Sequence, residues 1–386
     1  MPFARRITRL KESGTLKILD IVKALQAKGA SIIQLDVGEP DFRTPDNVSE
    51  AAKAALDSGF THYTPSAGLP ELRDAVAEKL RLENRLDCES ANVIITPGSK
   101  QALFYAVMVT VDEGDEVIVP TPAWPSYMEM VTVAGGTVRE VPCSAGFGLD
   151  LEALKEAVSE RTKLIILNSP NNPTGCVYSD QELRAVTEIA CEHRIQVISD
   201  EIYERILYEG SYRSLGTYPG MADLAITING FSKTYAMTGW RVGYAAGPRE
   251  LISAMNKLQQ HSASCPPSFA QKGALEALKP ETPVAPMVAE FRRRRDYLCA
   301  ELSKMRAFRV APPKGAFYLF PDISETGMPS SRLVELLLEK AGVSTTPGEP
   351  FGGFTSNLRI SYANSMANLE DAVNRVRGVL EPMGLA

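Results

Sequence analysis

Histidine is scarce in this 386-residue chain, and His62, His193 and His261 stand far apart with no metal-binding spacing such as H-E-x-x-H. A catalytic metal therefore has little support, and each is expected to be an ordinary buried or surface side chain. The six cysteines, Cys88, Cys143, Cys176, Cys191, Cys265 and Cys299, form no C-x-x-C pair and read as reduced, mainly structural thiols. No segment reaches the ~18 uninterrupted apolar residues of a membrane span. The opening MPFARRITRLKESGTLKILD lacks the apolar core of a signal peptide, so a soluble, cytoplasmic protein is expected. No G-x-G-x-x-G follows a strand candidate, which argues against a nicotinamide dinucleotide site. With a net charge of -6 and no basic block outside Arg292 to Arg295, nothing suggests a nucleic-acid footprint or a membrane partner. Those arginines follow Phe291 in a helical pattern, and the run is expected to include a solvated face.

What the chain does have is a hydrophobic fraction of 44% and the length for two domains, or for one large and one smaller lobe. From residue 93 onward short apolar runs alternate with amphipathic ones. The strand candidates are VIIT at 93, EVIVP at 116, TVREVP at 137, KLIILN at 163, QVISD at 196 and LAITIN at 224. Between them, SKQALFYAVMVTV and DQELRAVTEIACEH carry helical periodicity. This alternation predicts an α/β fold with a largely parallel sheet and helices on both faces. Turn residues cluster just beyond four strand ends: Pro97 to Lys100, Ser169 to Gly175, Asp200, and Gly230 to Lys233. In open α/β sheets ligands bind outside the carboxyl ends of the strands, so the four stretches point at one crevice. After residue 285 the pattern changes to a smaller α+β lobe. The expected division is a large domain at 43–284 and a small domain made of 1–42 with 285–386.

The stretch Asn229 to Gly247, NGFSKTYAMTGWRVGYAAG, sets Lys233 among small residues with Arg241 eight positions later. A lysine amine condenses with an aldehyde to form a Schiff base, and an arginine fork holds phosphate; pyridoxal phosphate carries both groups. Alone, this spacing does not distinguish the pair from surface charges. Seven blocks in order do: GEPDF at 38, YTPSAGLPELRDA at 63, PGSKQAL at 97, NSPNNPTG at 168, SDEIYE at 199, the lysine stretch, and NLRISYA at 357. Nearly end to end, the chain resembles the fold type I pyridoxal phosphate enzymes, within them the class I aminotransferases of the bacterial aspartate/prephenate subgroup.

The resemblance implies a large domain with a mostly parallel seven-stranded sheet flanked by helices, and a smaller discontinuous α+β domain. By the same resemblance Lys233 carries the cofactor and moves the proton, and Asp200 pairs with the pyridine nitrogen. Tyr203 and Asn172 contact the phenolic oxygen, and Trp124 lies against the ring. Gly98, Ser99, Lys100 and Arg241 hold the phosphate, the first three at a helix start. Tyr63 reaches the phosphate in the neighbouring subunit, which implies a homodimer with active sites at the interface. Arg359, with the backbone at Gly38, takes the substrate α-carboxylate; Asn172 and Trp124 also border the substrate. In the subgroup, a lysine at the Lys100 position and the region of Lys11, Ser13 and Thr15 contact a distal acidic group. The chain departs from many relatives at Gly230, where Ser or Thr is common. Trp240 reads as structural.

These implications add up to a ping-pong aminotransferase acting on small-molecule amino acids and 2-oxo acids, with aspartate or glutamate the best guess. Aromatic amino acids, kynurenine or prephenate remain alternatives, as does a β-lyase or decarboxylase on the same fold. A transcription regulator built on such a domain would need an N-terminal DNA-binding module, and only about 35 residues precede GEPDF.

Overall fold

A computed structural model describes residues 3–12 and 14–386; the side chains of residues 5, 14–17 and 19 are also outside the described set. Seven strands form the central sheet: β1 (Val93–Thr96), β2 (Glu116–Thr121), β3 (Thr137–Pro142), β4 (Thr162–Asn168), β5 (Gln196–Asp200), β6 (Ala225–Gly230) and β7 (Gly243–Ala246). Their order across the sheet is β1-β7-β6-β5-β4-β2-β3. The six strands expected from sequence are present. The seventh, GYAA, lies within the lysine stretch and is antiparallel to both of its neighbours, β1 and β6. Because β7 alone is reversed, β1 and β6 run the same way, and the carboxyl ends of the other six strands meet at one edge.

Both faces of the sheet are covered, which is why β2 and β4 are nearly continuous apolar runs. Alternate residues divide between two cores: Val117, Val119, Leu164 and Ile166 pack in one, Ile118, Ile165 and Leu167 in the other. At the rim β3 is largely exposed, as its polar TVREVP sequence suggests. The helix Asp180–His193 starts at a capping box, with Ser179 and Glu182 satisfying each other's backbone N–H groups.

A separate apolar cluster joins Ile33 and Leu35 to Phe291, Leu298, Val343, Ile360 and Leu369. There Ile33–Gln34 pairs in parallel with Val343–Ser344, and Leu358–Ser361 lies antiparallel to Thr346–Pro347 and Tyr318–Leu319. The N-terminal strand is thus stitched to the last hundred residues.

The arginine run is half what its charge suggests. Arg292 and Arg293 are exposed, but Arg294 and Arg295 are buried in the helix Ala285–Leu302. Arg294 bonds Asp41 at 2.6 Å and Glu290 at 2.9 Å, and Arg295 donates to the Pro313 carbonyl at 3.0 Å. Pairing makes that burial tolerable. All three histidines are exposed, and the six cysteines are free. Among the described residues no helix is long and apolar enough to cross a membrane.

Candidate active site

The shared edge of the sheet opens into a cleft of about 490 Å³ whose walls include Gly38, Ser99, Lys100, Trp124, Asn172, Asp200, Tyr203, Lys233, Arg241 and Arg359. Gly98, next to Ser99, is not itself in the lining and packs against the Arg241 guanidinium. Residues from six of the seven sequence blocks therefore meet at one place.

Lys233 follows β6. Its side chain is half-buried, and its Nζ donates to the Gly38 carbonyl at 2.6 Å. Burial pushes the amine down to about 8; Glu39 and Asp200 oppose that fall, while Arg359 and Arg241 add to it. Asp200 closes β5 and is buried. Tyr127 donates its hydroxyl to Asp200 Oδ2 at 2.6 Å, and the Ile202 N–H reaches Oδ1 at 3.3 Å. Burial nevertheless outweighs those bonds and pushes the carboxyl up to about 6.

Arg359 lies on the strand Leu358–Ser361 and is 3% exposed, which settles that it is no surface arginine. Its Nη1 donates to Asn172 Oδ1 at 2.9 Å and its Nη2 to the Asp36 carbonyl at 2.6 Å, over the Tyr318 ring at 4.7 Å. The buried Nε has no partner among the described residues. The Tyr203 and Tyr318 hydroxyls lie 2.8 Å apart.

The opposite wall holds a helix start. The helix Ser99–Thr110 begins at Gly98 with no side-chain cap and no acidic residue in its first turn, and its first two residues line the cleft, which brings its positive end there. Glycine is required there: Gly98 has φ +89, and a Cβ would fall 2.3 Å from Arg241 Nη2. A Cβ on Gly243 would fall 2.3 Å from the Ser99 nitrogen, and one on Gly230 2.5 Å from Ser99 Oγ. Ser99 Oγ, bonded to the Asn229 carbonyl at 2.8 Å, thus occupies the room a side chain at 230 would need. Three glycines form the cradle in which helix, β6 and β7 close up. Arg241, exposed and with φ +55, bonds the Thr238 carbonyl at 2.7 Å. Lys100 sets its Nζ 4.6 Å from the Trp124 ring centre; desolvation, then Arg241, lowers its pKa.

Some expected residues are elsewhere. Tyr63 is 89% exposed and does not line the cleft. Lys11 is exposed outside it, its backbone N–H donating to Glu129 at 3.1 Å. Ser13 and the Thr15 side chain lie outside the described residues. Trp240 packs beside Gly273 and donates to Thr44 Oγ1 at 3.0 Å, away from the cleft wall. Sequence reading passed over Asp36, Glu39, Tyr127, Asn168, Thr238 and Tyr318, all of which line the cleft. Tyr127 had a usable signal, three positions after Trp124 in TPAWPSY, and Asn168 opens NSPNNPTG. Tyr318 had none.

Comparison with known proteins agrees with this geometry. The sequence pattern of the family described as aminotransferase class I and II matches residues 30–376. A protein of Aquifex aeolicus named a probable aspartate/prephenate aminotransferase is 45% identical, covering 98% of each chain. The aspartate aminotransferase of Geobacillus stearothermophilus is 43% identical over 99% of each. The solved structure of the Thermus thermophilus aspartate aminotransferase with maleate superposes with a TM-score of 0.94 at 43% identity, covering 98% of this chain and all of that one. The chain therefore belongs to the class I and II aminotransferases, enzymes that depend on pyridoxal phosphate.

Proposed function

We propose that the chain transfers an amino group between an acidic L-amino acid, aspartate or glutamate, and a 2-oxo acid in two successive half-reactions. The observation that carries the reading is a half-buried lysine sharing one cleft with a buried carboxylate and a buried arginine fork, Lys233 with Asp200 and Arg359. The residues fit pyridoxal phosphate, because the uncapped helix start and its glycine cradle suit a phosphate and the buried Asp200 suits a protonated ring nitrogen. In this reading Gly98, Ser99, Lys100 and Arg241 hold the phosphate. Trp124 lies on the ring face, and Tyr203 and Asn172 reach the phenolic oxygen. Bound there, pyridoxal phosphate supplies an aldehyde carbon that takes the substrate nitrogen and a ring that accepts the electron pair left at Cα.

The remaining work belongs to side chains. Lys233, with its amine pushed down to about 8, has both its neutral and its protonated form populated around neutral pH. That is the condition for taking the substrate Cα proton and returning it. Arg359 grips the α-carboxylate, with the Gly38 backbone beside it. Since Asn172 and the Asp36 carbonyl already fix its plane, little ordering remains on binding. We also propose the division of the chain into 43–284 and 1–42 with 285–386, supported by the pairing of Ile33–Gln34 with Val343–Ser344. A homodimer, with Tyr63 serving the partner's site, is consistent with that side chain's exposure.

An acidic substrate is supported by the relatives named for aspartate and by the Thermus enzyme that holds maleate, a dicarboxylate. Lys100 is better placed than Lys11 to meet a distal carboxylate, because it lines the cleft. Two measurements test the whole. Lys233→Ala is expected to bind pyridoxal phosphate yet lose turnover and gain no borohydride-fixed mass; turnover at the wild-type rate would sink the assignment. A donor panel of aspartate, glutamate, tyrosine, kynurenine and alanine, with prephenate among the acceptors, is expected to favour the first two and to yield 2-oxo acid without free ammonia. If aspartate and glutamate are both inert, the acidic-substrate reading falls.

A further inference from the structure

Segment 36–41, DVGEPD, crosses the cleft as a strap. Two of its main-chain carbonyls receive the site's cations: Asp36 O from Arg359 and Gly38 O from Lys233, each at 2.6 Å. Its three carboxylates tie it to three different elements. Asp36 accepts from the Ser344 hydroxyl, Asp41 bonds Arg294 at 2.6 Å, and Glu39 Oε2 accepts from the Thr238 hydroxyl at 2.8 Å. Glu39 alone is bonded to the loop that carries Lys233. Adjacent strap residues thus grip that loop at two points, Gly38 at its lysine and Glu39 five residues further on.

The charges acting on Lys233 come from four directions. Glu39 on the strap and Asp200 at the end of β5 favour its ammonium form; Arg359 from the small lobe and Arg241 before β7 oppose it. The Phe317 ring, 6.0 Å from Nζ, adds no charge. Glu39, though exposed, lines the same cleft and directly follows Gly38, whose carbonyl takes the Lys233 Nζ bond. Asp200 is already engaged by Tyr127 and the Ile202 N–H, and in the function proposed above it is committed to the cofactor ring. Glu39 has no such second duty.

We propose that Glu39 is a positioning residue for amino transfer: held by Thr238, its carboxylate is the counter-charge that lets Lys233 keep a proton between removing it from one atom and delivering it to another. This rests on Lys233 being the proton carrier. Its chemistry is electrostatic, with no bond made or broken at Glu39.

The test is the pH dependence of Lys233 labelling by fluorodinitrobenzene in the full cofactor-free chain, read by peptide mass spectrometry against exposed lysines. Only the free amine reacts, and removing a nearby negative charge disfavours the ammonium. Glu39→Gln is therefore expected to lower the labelling midpoint by about half a unit, so that Lys233 reacts about threefold faster at neutral pH. Glu39→Asp, which keeps the charge, should stay close to wild type. Thr238→Val, which keeps the charge but releases it, should fall between wild type and Glu39→Gln. In the holoenzyme the acid limb of the kcat profile should move down with the Glu39→Gln midpoint. An unchanged midpoint in Glu39→Gln and Thr238→Val, or equal shifts in the Gln and Asp variants, overturns the proposal. Failure of the underlying reading looks different: Lys233→Ala would then turn over normally, whatever the labelling midpoints.

Discussion

Asp200 is held against its own solvation. Its carboxyl is raised from the ordinary 3.8 to about 6, first of all by burial. A carboxyl raised on folding stabilises the protein below its unfolded pKa and surrenders that advantage as pH climbs through the folded one. Asp200→Asn keeps an acceptor for the Tyr127 hydroxyl and removes the buried charge. In the cofactor-free chain it is expected to raise stability by on the order of 3 kcal/mol at pH 8. The gain should shrink between pH 6 and 4, as measured by urea unfolding at each pH. On the role proposed for Asp200, the same variant should bind pyridoxal phosphate more weakly, because the ring nitrogen would lose its counter-charge. A flat stability difference across that pH range would mean that Asp200 is not the buried charge described. Asp200 was legible from sequence through its place at a strand end. Tyr127, which donates to it, was passed over although it stands three positions after Trp124, because an aromatic residue in a helix pattern reads first as core.

Among elements, the helix start at Gly98 and the reversed strand β7 work as a unit. Gly243 faces the first residues of that helix so closely that a methyl group would meet the Ser99 nitrogen at 2.3 Å and the Gly98 carbonyl carbon at 2.6 Å. Both are backbone atoms, so nothing nearby rotates away. Gly243→Ala is expected to destabilise the fold by about 1–3 kcal/mol and to weaken binding of inorganic phosphate in a competition titration. Retained stability with unchanged phosphate affinity would contradict the cradle. Sequence reading recovered six strands because their β-branched runs are buried on both faces and flanked by turn residues. It missed β7 because GYAA is short, small and not alternating. Its packing value lies in what its glycine and alanines leave room for, a property of the neighbours. The capping box at Ser179 and Glu182 is the opposite case, a local bond written in adjacent residues.

At the scale of the whole molecule, a second buried polar cluster underlies the site. Lys79 pairs with Glu204, and Asn84 and Ser214 bridge to Glu201, whose carboxyl burial and Glu204 together raise to about 7. Lys79→Met leaves two buried acids without their cation and is expected to cost about 3–5 kcal/mol at pH 8. The loss should lessen toward pH 5 as one acid takes up a proton, which thermal unfolding at the two pH values measures. Assembly is testable by mixing inactive partners. If Tyr63 serves the other subunit, Tyr63→Ala chains combined with Lys233→Ala chains form hybrids with one intact site. The mixture should then recover about a quarter of wild-type activity; no recovery would place Tyr63 outside the partner's site.

The bond from Arg359 to the Asp36 carbonyl spans 323 positions of chain. During synthesis, every residue proposed to hold the cofactor within one subunit has been made once Arg241 emerges, while the grip on the substrate must wait for more than a hundred further residues. The strap from the beginning of the chain therefore closes around an arginine made near its end.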